Sequence, residues 1–305
     1  MPGVFYGPYD ERNQDYANSG NANLGRFPLE HRLILPDNRE YKFTLNDATV
    51  EIAGNLYQSV AAVAGHTNRP VDVARAIDAV LGSATLVTTL AAIDIYAEGT
   101  VHTNDVTGEG YTYRIKRAFT AGAAHAAAVA SGVLTVNFVA GEQIQVAWDT
   151  TTEVSFTRNR YHQVTLHPAP PTAIVAGVSP GVAAADRFYW SQVKGYAAVL
   201  GSGTLLAGLP VMPGITTDGS VESFKRRIQS GGVTFSLPTT LVLTGSKLLD
   251  QDGTTTDFIV LHTTSVQVTT LTDSSSGIAN NAPPIGICIK ANATAEQALV
   301  ELNIQ

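Results

Sequence analysis

At 305 residues the chain exceeds one ordinary domain of ~100–150 residues, and its 44% hydrophobic content is enough for a sizeable core. Only 15% of residues are charged, where an average soluble domain carries about 25%, so part of the surface is expected to be covered by partner chains. A net charge of -7 with scattered Lys and Arg speaks against direct nucleic-acid binding, the lone Cys288 excludes an intramolecular disulfide framework, and no run of ~18 apolar residues is present to span a membrane.

Residues 1–23, MPGVFYGPYDERNQDYANSGNAN, set Phe5, Tyr6, Tyr9 and Tyr16 among Gly, Pro and Asn with neither helical nor strand period. Such text buries too little to fold alone. It reads either as a disordered terminus or as an extended arm whose rings dock on a neighbouring subunit, since Tyr and Phe supply large contact area. From Leu24 to Gln58 the pattern predicts short strands with turns at Pro36-Asp37-Asn38 and Asn46-Asp47; Tyr41, Phe43 and Leu45 alternate with polar residues and share a strand face. Pro70 to Leu81 carries Pro at a first turn, Val73, Ile77, Val80 and Leu81 at helical spacing, and Gly82 as a stop. It predicts one short helix, the alternative being an irregular strand.

Alternation returns in Tyr111–Lys116, Val133–Val139, Gln143–Trp148, Glu153–Thr157 and Gln163–Leu166, where Thr, Val and aromatic residues dominate between Gly and Asp-Thr turns. His167-Pro168-Ala169-Pro170-Pro171 then interrupts any ladder, because three prolines lack amide donors. Beyond it, Arg187–Val193 and Ala197–Leu206 read as strands, Thr216–Gly219 as a turn, and 220–281 as Ser- and Thr-rich strands and loops. In the closing pair, Ile285, Ile287 and Ile289 are assigned to one face, and Ala298, Val300, Leu302 and Ile304 to another. The whole is therefore expected to be all-β, with β-barrel or β-sandwich modules, an extended N-terminal arm and at most one short helix. Its parts are an arm at 1–23, a β-rich N-terminal domain at 24–168, a Pro-rich connector at 169–182 and a C-terminal β-barrel-like module at 183–305.

Chemistry is sparse in this sequence. Gly108-Glu109-Gly110 and Gly201-Ser202-Gly203 complete no phosphate-loop pattern and read as turns within strand text. The histidines form no HExxH pair, and His162 and His167 are expected at the surface beside the prolines. Asp250-Gln251-Asp252-Gly253 with Asp257 lacks the third acid and closing Glu of a calcium loop and reads as a solvated hairpin. No catalytic, metal or cofactor-binding residue is assigned, no cofactor is expected, and the chain is read as not an enzyme. Cys288 is taken as a small core residue.

Taken together, Asp186–Leu200 (DRFYWSQVKGYAAVL), Gly203–Pro210, Asp218-Gly219-Ser220-Val221 and the ending PIGICIKANATAEQALVELNI resemble the C-terminal module of capsid decoration (cement) proteins of tailed bacteriophages of marine and environmental type. Tyr96–Thr100 and Gly108–Ile115 also resemble the middle of such virion proteins. The likeness is good over 183–305 and loose over 24–170; the stretch 222–281 is longer than the family pattern. It implies a structural protein that binds the outer capsid surface and stabilises it, with the major capsid protein and itself, as a homotrimer, for partners. It further implies a virion location after synthesis in the host cytoplasm, with no direct nucleic-acid or membrane partner. On this reading Phe5, Tyr6, Tyr9 and Tyr16 form the subunit or capsid interface, and Phe188 and Trp190 pack in the core. Two other classes stay open: a receptor-binding, fibre or adhesin protein of the virion, and a virion polysaccharide-degrading enzyme with two poised carboxylates.

Overall fold

The computed structural model describes residues 27–86, 95–117, 132–224, 283–293 and 295–304, and the strand backbone alone at 4–6 and 125–126. Residues 1–224 and 281–305 belong to one compact unit; the other, 225–280, lies outside the described residues, as do the loops expected at Thr254–Asp257 and Asp273–Gly277 and the Asp250–Asp257 hairpin. In chain order the strands begin with β1 Val4–Tyr6, β2 Arg32–Ile34, β3 Glu40–Leu45 and β4 Leu56–Gln58. Next come β5 Arg69–Pro70, β6 Leu81–Thr85, β7 Thr100–Asp105, β8 Thr112–Arg114, β9 His125–Ala126, β10 Val133–Asn137 and β11 Glu153–Thr157. The last group is β12 Thr165–Leu166, β13 Val175–Val178, β14 Phe188–Leu200, β15 Pro210–Pro213, β16 Val221–Ser223, β17 Gly286–Lys290 and β18 Gln297–Asn303. The described fold is all-β; its one helical element is a single 3-10 turn at Ala64–His66.

The first and last groups build one 11-stranded sheet, ordered β1-β2-β3-β14-β18-β17-β15-β16 with β4, β12 and β13 attached, which curls into a half-barrel. β14 is its spine. Over Phe188–Lys194 it pairs with β3, and over Lys194–Leu200 with β18, so a 13-residue strand serves two neighbours in succession. Both faces of its first half are covered, hence the unbroken run of buried residues Phe188–Val193; its second half alternates, because one face there meets solvent. The register that sets Phe43 opposite Trp190 also stacks Phe43 on Phe188 at 5.2 Å between centroids and brings Phe27 within 5.5 Å of Trp190. Such aromatic pairs contribute roughly 0.5–1.5 kcal/mol each beyond area burial.

The middle group forms two small sheets, β6-β10-β9 and β5-β11-β7-β8, around a separate core that includes Tyr96, Ile115, Leu134, Ile144, Trp148 and Phe156. Gly82 makes room for that core, since a Cβ there would sit 2.6 Å from the Trp148 ring. Gly108 and Gly110, read as turn residues, take positive φ in the hairpin between β7 and β8.

Two secondary-structure expectations fail in the described residues. No helix forms over 70–81. Arg75 and Trp148 exchange backbone hydrogen bonds of 2.9 and 2.8 Å, the Asp78 amide donates to the Ile144 carbonyl at 2.9 Å, and Asp78 takes a positive φ. The segment 144–148 has thus claimed amides that a helix needs, and the predicted apolar stripe of Val73, Ile77 and Val80 lies more than half exposed. The isoleucine face of the closing pair also fails: Ile285 is buried, Ile287 and Ile289 are exposed, and Cys288 points into the core. Within β17 the pairing of Cys288 with Val300 sets the inward phase, so Ile287 and Ile289 point out, while Ile285 is buried just before the strand begins. On β18 the expected alternation is complete, with Ala298, Val300 and Leu302 buried between exposed neighbours.

Candidate interaction surface

One apolar surface among the described residues grows out of the pairing of β14, β18 and β17. Strand period 2 sends Ala197 and Val199, Ala298, Val300 and Leu302, and Cys288 inward. The intervening residues face outward, and they are not uniformly polar. Across the three strands Tyr196, Glu301 and Ile287 lie in one row, and Ala198, Leu299 and Lys290 in the next. Tyr196 is 57% exposed, Ile287 44%, Ile289 39% and Leu299 38%. Leu209 and Leu206, also exposed, extend the patch from the loop whose backbone is fixed to β17 through Gly208 N–H to Cys288 C=O at 2.7 Å and Cys288 N–H to Leu209 C=O at 3.0 Å. Scattered exposed apolar side chains are normal; a group of them on neighbouring strands of one sheet face is where an interaction site is sought. Lys194, Lys290 and Glu301 stand among them, so the face offers apolar area with charges of both signs.

A second feature is an inverted ribbon. Glu51 bridges to Ala183 and is wholly buried, while Val50 and Ile52 on either side are more than half exposed, as is Val182 beside the bridge partner. Both Glu51 carboxyl oxygens and the Tyr189 and Ser191 hydroxyls are buried without a well-formed hydrogen bond, and the Tyr189 and Ser179 hydroxyls lie close enough to Glu51 to interact with it. Burial, partly offset by the nearby Tyr189 and Ser179 hydroxyls and reinforced by the Asp47 charge, pushes the Glu51 carboxyl up to about 8. Tyr189, itself fully buried, is held protonated far into the alkaline range by burial and by its proximity to Glu51.

A third feature is a small cleft lined by Leu29, Leu45, Ala97, Glu98, Arg117, His162 and Phe188. Here Arg117 Nε lies 3.1 Å from Glu98 Oε1, and the Leu29 amide donates to Glu98 Oε2 at 2.6 Å. Burial raises the Glu98 pKa in spite of the Arg117 charge. With both carboxyl oxygens engaged, this ion pair ties residues 95–117 to the start of the large sheet.

The residues singled out from sequence are placed as follows. Phe5 and Tyr6 fall in β1, described as backbone only; Tyr9 and Tyr16 lie outside the described residues. Phe188, Tyr189 and Trp190 are core. His162 and His167, expected at the surface, are 5% and 0% exposed, and burial lowers the His167 pKa. The reason is topological: the Gly219 amide donates to the His167 carbonyl and the His167 amide to Leu56, so the proline segment is roofed by the turn before β16. Glu51 and Glu98 were missed. Glu51 had a signal, an acid between Val50 and Ile52 in strand text; Glu98 had none beyond its place in a glycine turn. Among the described residues no group of three or more His, Cys, Asp or Glu side chains is placed to hold a metal ion, and no helix is long and apolar enough to cross a membrane. Comparison of the chain with protein-family models, with curated proteins and with solved structures gave no match in any of the three.

Proposed function

We propose that this chain is a structural protein that binds the outside of a bacteriophage capsid and stabilises it, working through surfaces rather than through a reacting group. One observation carries the reading. The separate stretches that resemble decoration proteins, 186–200 and 284–304, become β14, β17 and β18, and their outward side chains form the apolar face of Tyr196, Ile287, Ile289 and Leu299. A protein held by many symmetry-related contacts needs such a face and no chemistry, since multivalency supplies the holding strength. The low charged fraction supports the same view.

Quantitative mass spectrometry of purified particles tests it. A shell protein is expected at hundreds of copies per particle, on the order of the number of capsid subunits. Roughly a dozen copies or fewer would place it at a tail tip, as for an adhesin, and reject the proposal.

A further inference from the structure

The end of the large sheet is closed in a way that sets it apart from every other pairing between its strands. β1 runs parallel to β2, in the register Val4↔Arg32, Phe5↔Leu33 and Tyr6↔Ile34, whereas the other strand pairs of this sheet are antiparallel. β1 pairs with β2 alone and ends the strand order. A parallel neighbour cannot be supplied by a tight turn; the chain must return a whole strand length, which takes about a dozen residues or more. Here it returns through residues 7–31, of which Leu29 and His31 are already buried in the body. Twenty residues, 7–26, separate β1 from the first described residue of the body, a length of chain that meets this requirement. Without β1, β2 would present an open edge of unpaired amides and carbonyls, a template for any strand of matching register.

We propose that β1 is an exchangeable edge strand, and that β2 of one copy accepts Val4–Tyr6 of a second copy of this chain in the same parallel register. The bonds made are the same within a chain and between chains, so the two arrangements differ mainly in the concentration at which each competitor is presented. A tethered segment competes at about millimolar effective concentration. Exchange therefore dominates where copies are packed at that density, and it links neighbours without any new contact surface. The inference does not rest on the capsid reading, since crowding of purified protein is enough to drive it.

The test uses cysteine pairs at Cα partners. Arg32 has a side chain 46% exposed and a surface ion pair with Glu40, so Arg32→Cys leaves the fold intact; Cys288 is wholly buried and stays inert. The Val4→Cys/Arg32→Cys double variant at about 10 µM is expected to form an intrachain disulfide, which establishes the pairing independently of exchange. A mixture of the Val4→Cys and Arg32→Cys single variants can form a disulfide between them only across chains. Its yield is expected to rise about tenfold or more between roughly 10 µM and 1 mM. No cross-chain product at the higher concentration, or no intrachain product in the double variant, overturns the proposal.

Discussion

β18 and the ribbon Val50–Ile52 are both extended and both alternate, but they point their apolar side chains in opposite directions. β18 buries Ala298, Val300 and Leu302 and exposes Gln297, Glu301 and Asn303, as a half-solvated strand does; the ribbon buries Glu51 and exposes Val50 and Ile52. Period 2 is common to the two, and only its sign differs. In β18 folding energy sets the sign. In the ribbon the sign runs against it, and a position that violates local consistency is where a second requirement is to be sought.

The comparison breaks most visibly at Glu51. Its pKa is about 8 in the folded chain against an ordinary 4.5, so between these values the folded state holds a proton that the unfolded state has lost. Its contribution to stability is complete below pH 4.5 and is lost as pH rises toward 8, about 5 kcal/mol across the window. Buried His31 and His167 have lowered pKa values and pull the opposite way below 6.5, so the difference between wild type and Glu51→Gln isolates the carboxyl. Chemical denaturation at a series of pH values should show Glu51→Gln more stable at pH 7 by about 3 kcal/mol, with no gap at pH 4. A gap independent of pH would mean that Glu51 acts through packing alone.

An effect of opposite sign is expected at the aromatic junction of β3 and β14. Trp190→Ala removes a fully buried ring that packs on Phe27, His31 and Phe43, and should cost about 4 kcal/mol, read as a fall in the denaturation midpoint. This junction was half legible. That Phe43 and Trp190 face a core follows from alternation in each strand. That residues 40–45 pair with 188–194 does not, because register between distant strands is settled by tertiary packing and leaves no local mark. The same limit explains the segment 70–81, where helical spacing was satisfied but Trp148 took the backbone of Arg75, and His167, whose roof comes from Gly219. Strands such as β11 were read to their ends because turn chemistry and Thr-Val-Phe content agree locally with the final pairing. Of the candidate surface, the strands were legible and the outward turn of Ile287 and Ile289 was not. Isoleucine in a closing strand signals burial, and only the pairing of Cys288 opposite Val300 reveals that the inward phase of β17 falls on the cysteine.

Within β18 the comparison can be sharpened on adjacent residues. Val300→Ala, inward and wholly buried, should cost about 2 kcal/mol, and Leu299→Ala, its outward neighbour, under about 0.5 kcal/mol in the same denaturation assay. Equal costs would mean that the outward face is packed in the isolated protein and is not free for a partner.

The smallest effect on stability is predicted at the face proposed to meet the shell, where the largest effect on attachment is expected. Ile287→Lys with Leu299→Lys puts two cations on the exposed rows beside Lys290, where solvent already reaches both side chains. Folding of the isolated chain should change by no more than about 0.5 kcal/mol for each substitution. An apolar interface core, by contrast, tolerates unpaired charge poorly, because desolvating it costs several kcal/mol, and that cost is repeated at every symmetry-related copy. Purified shells incubated with the variant should retain at least tenfold less of it than of wild type, on the order expected for about 1.4 kcal/mol or more lost per copy. Undiminished retention would show that this face is not what meets the shell. The exposed trio Val50, Ile52 and Val182 would then be the apolar surface to charge next, with Glu51→Gln distinguishing a binding defect from a change in the ribbon that carries it.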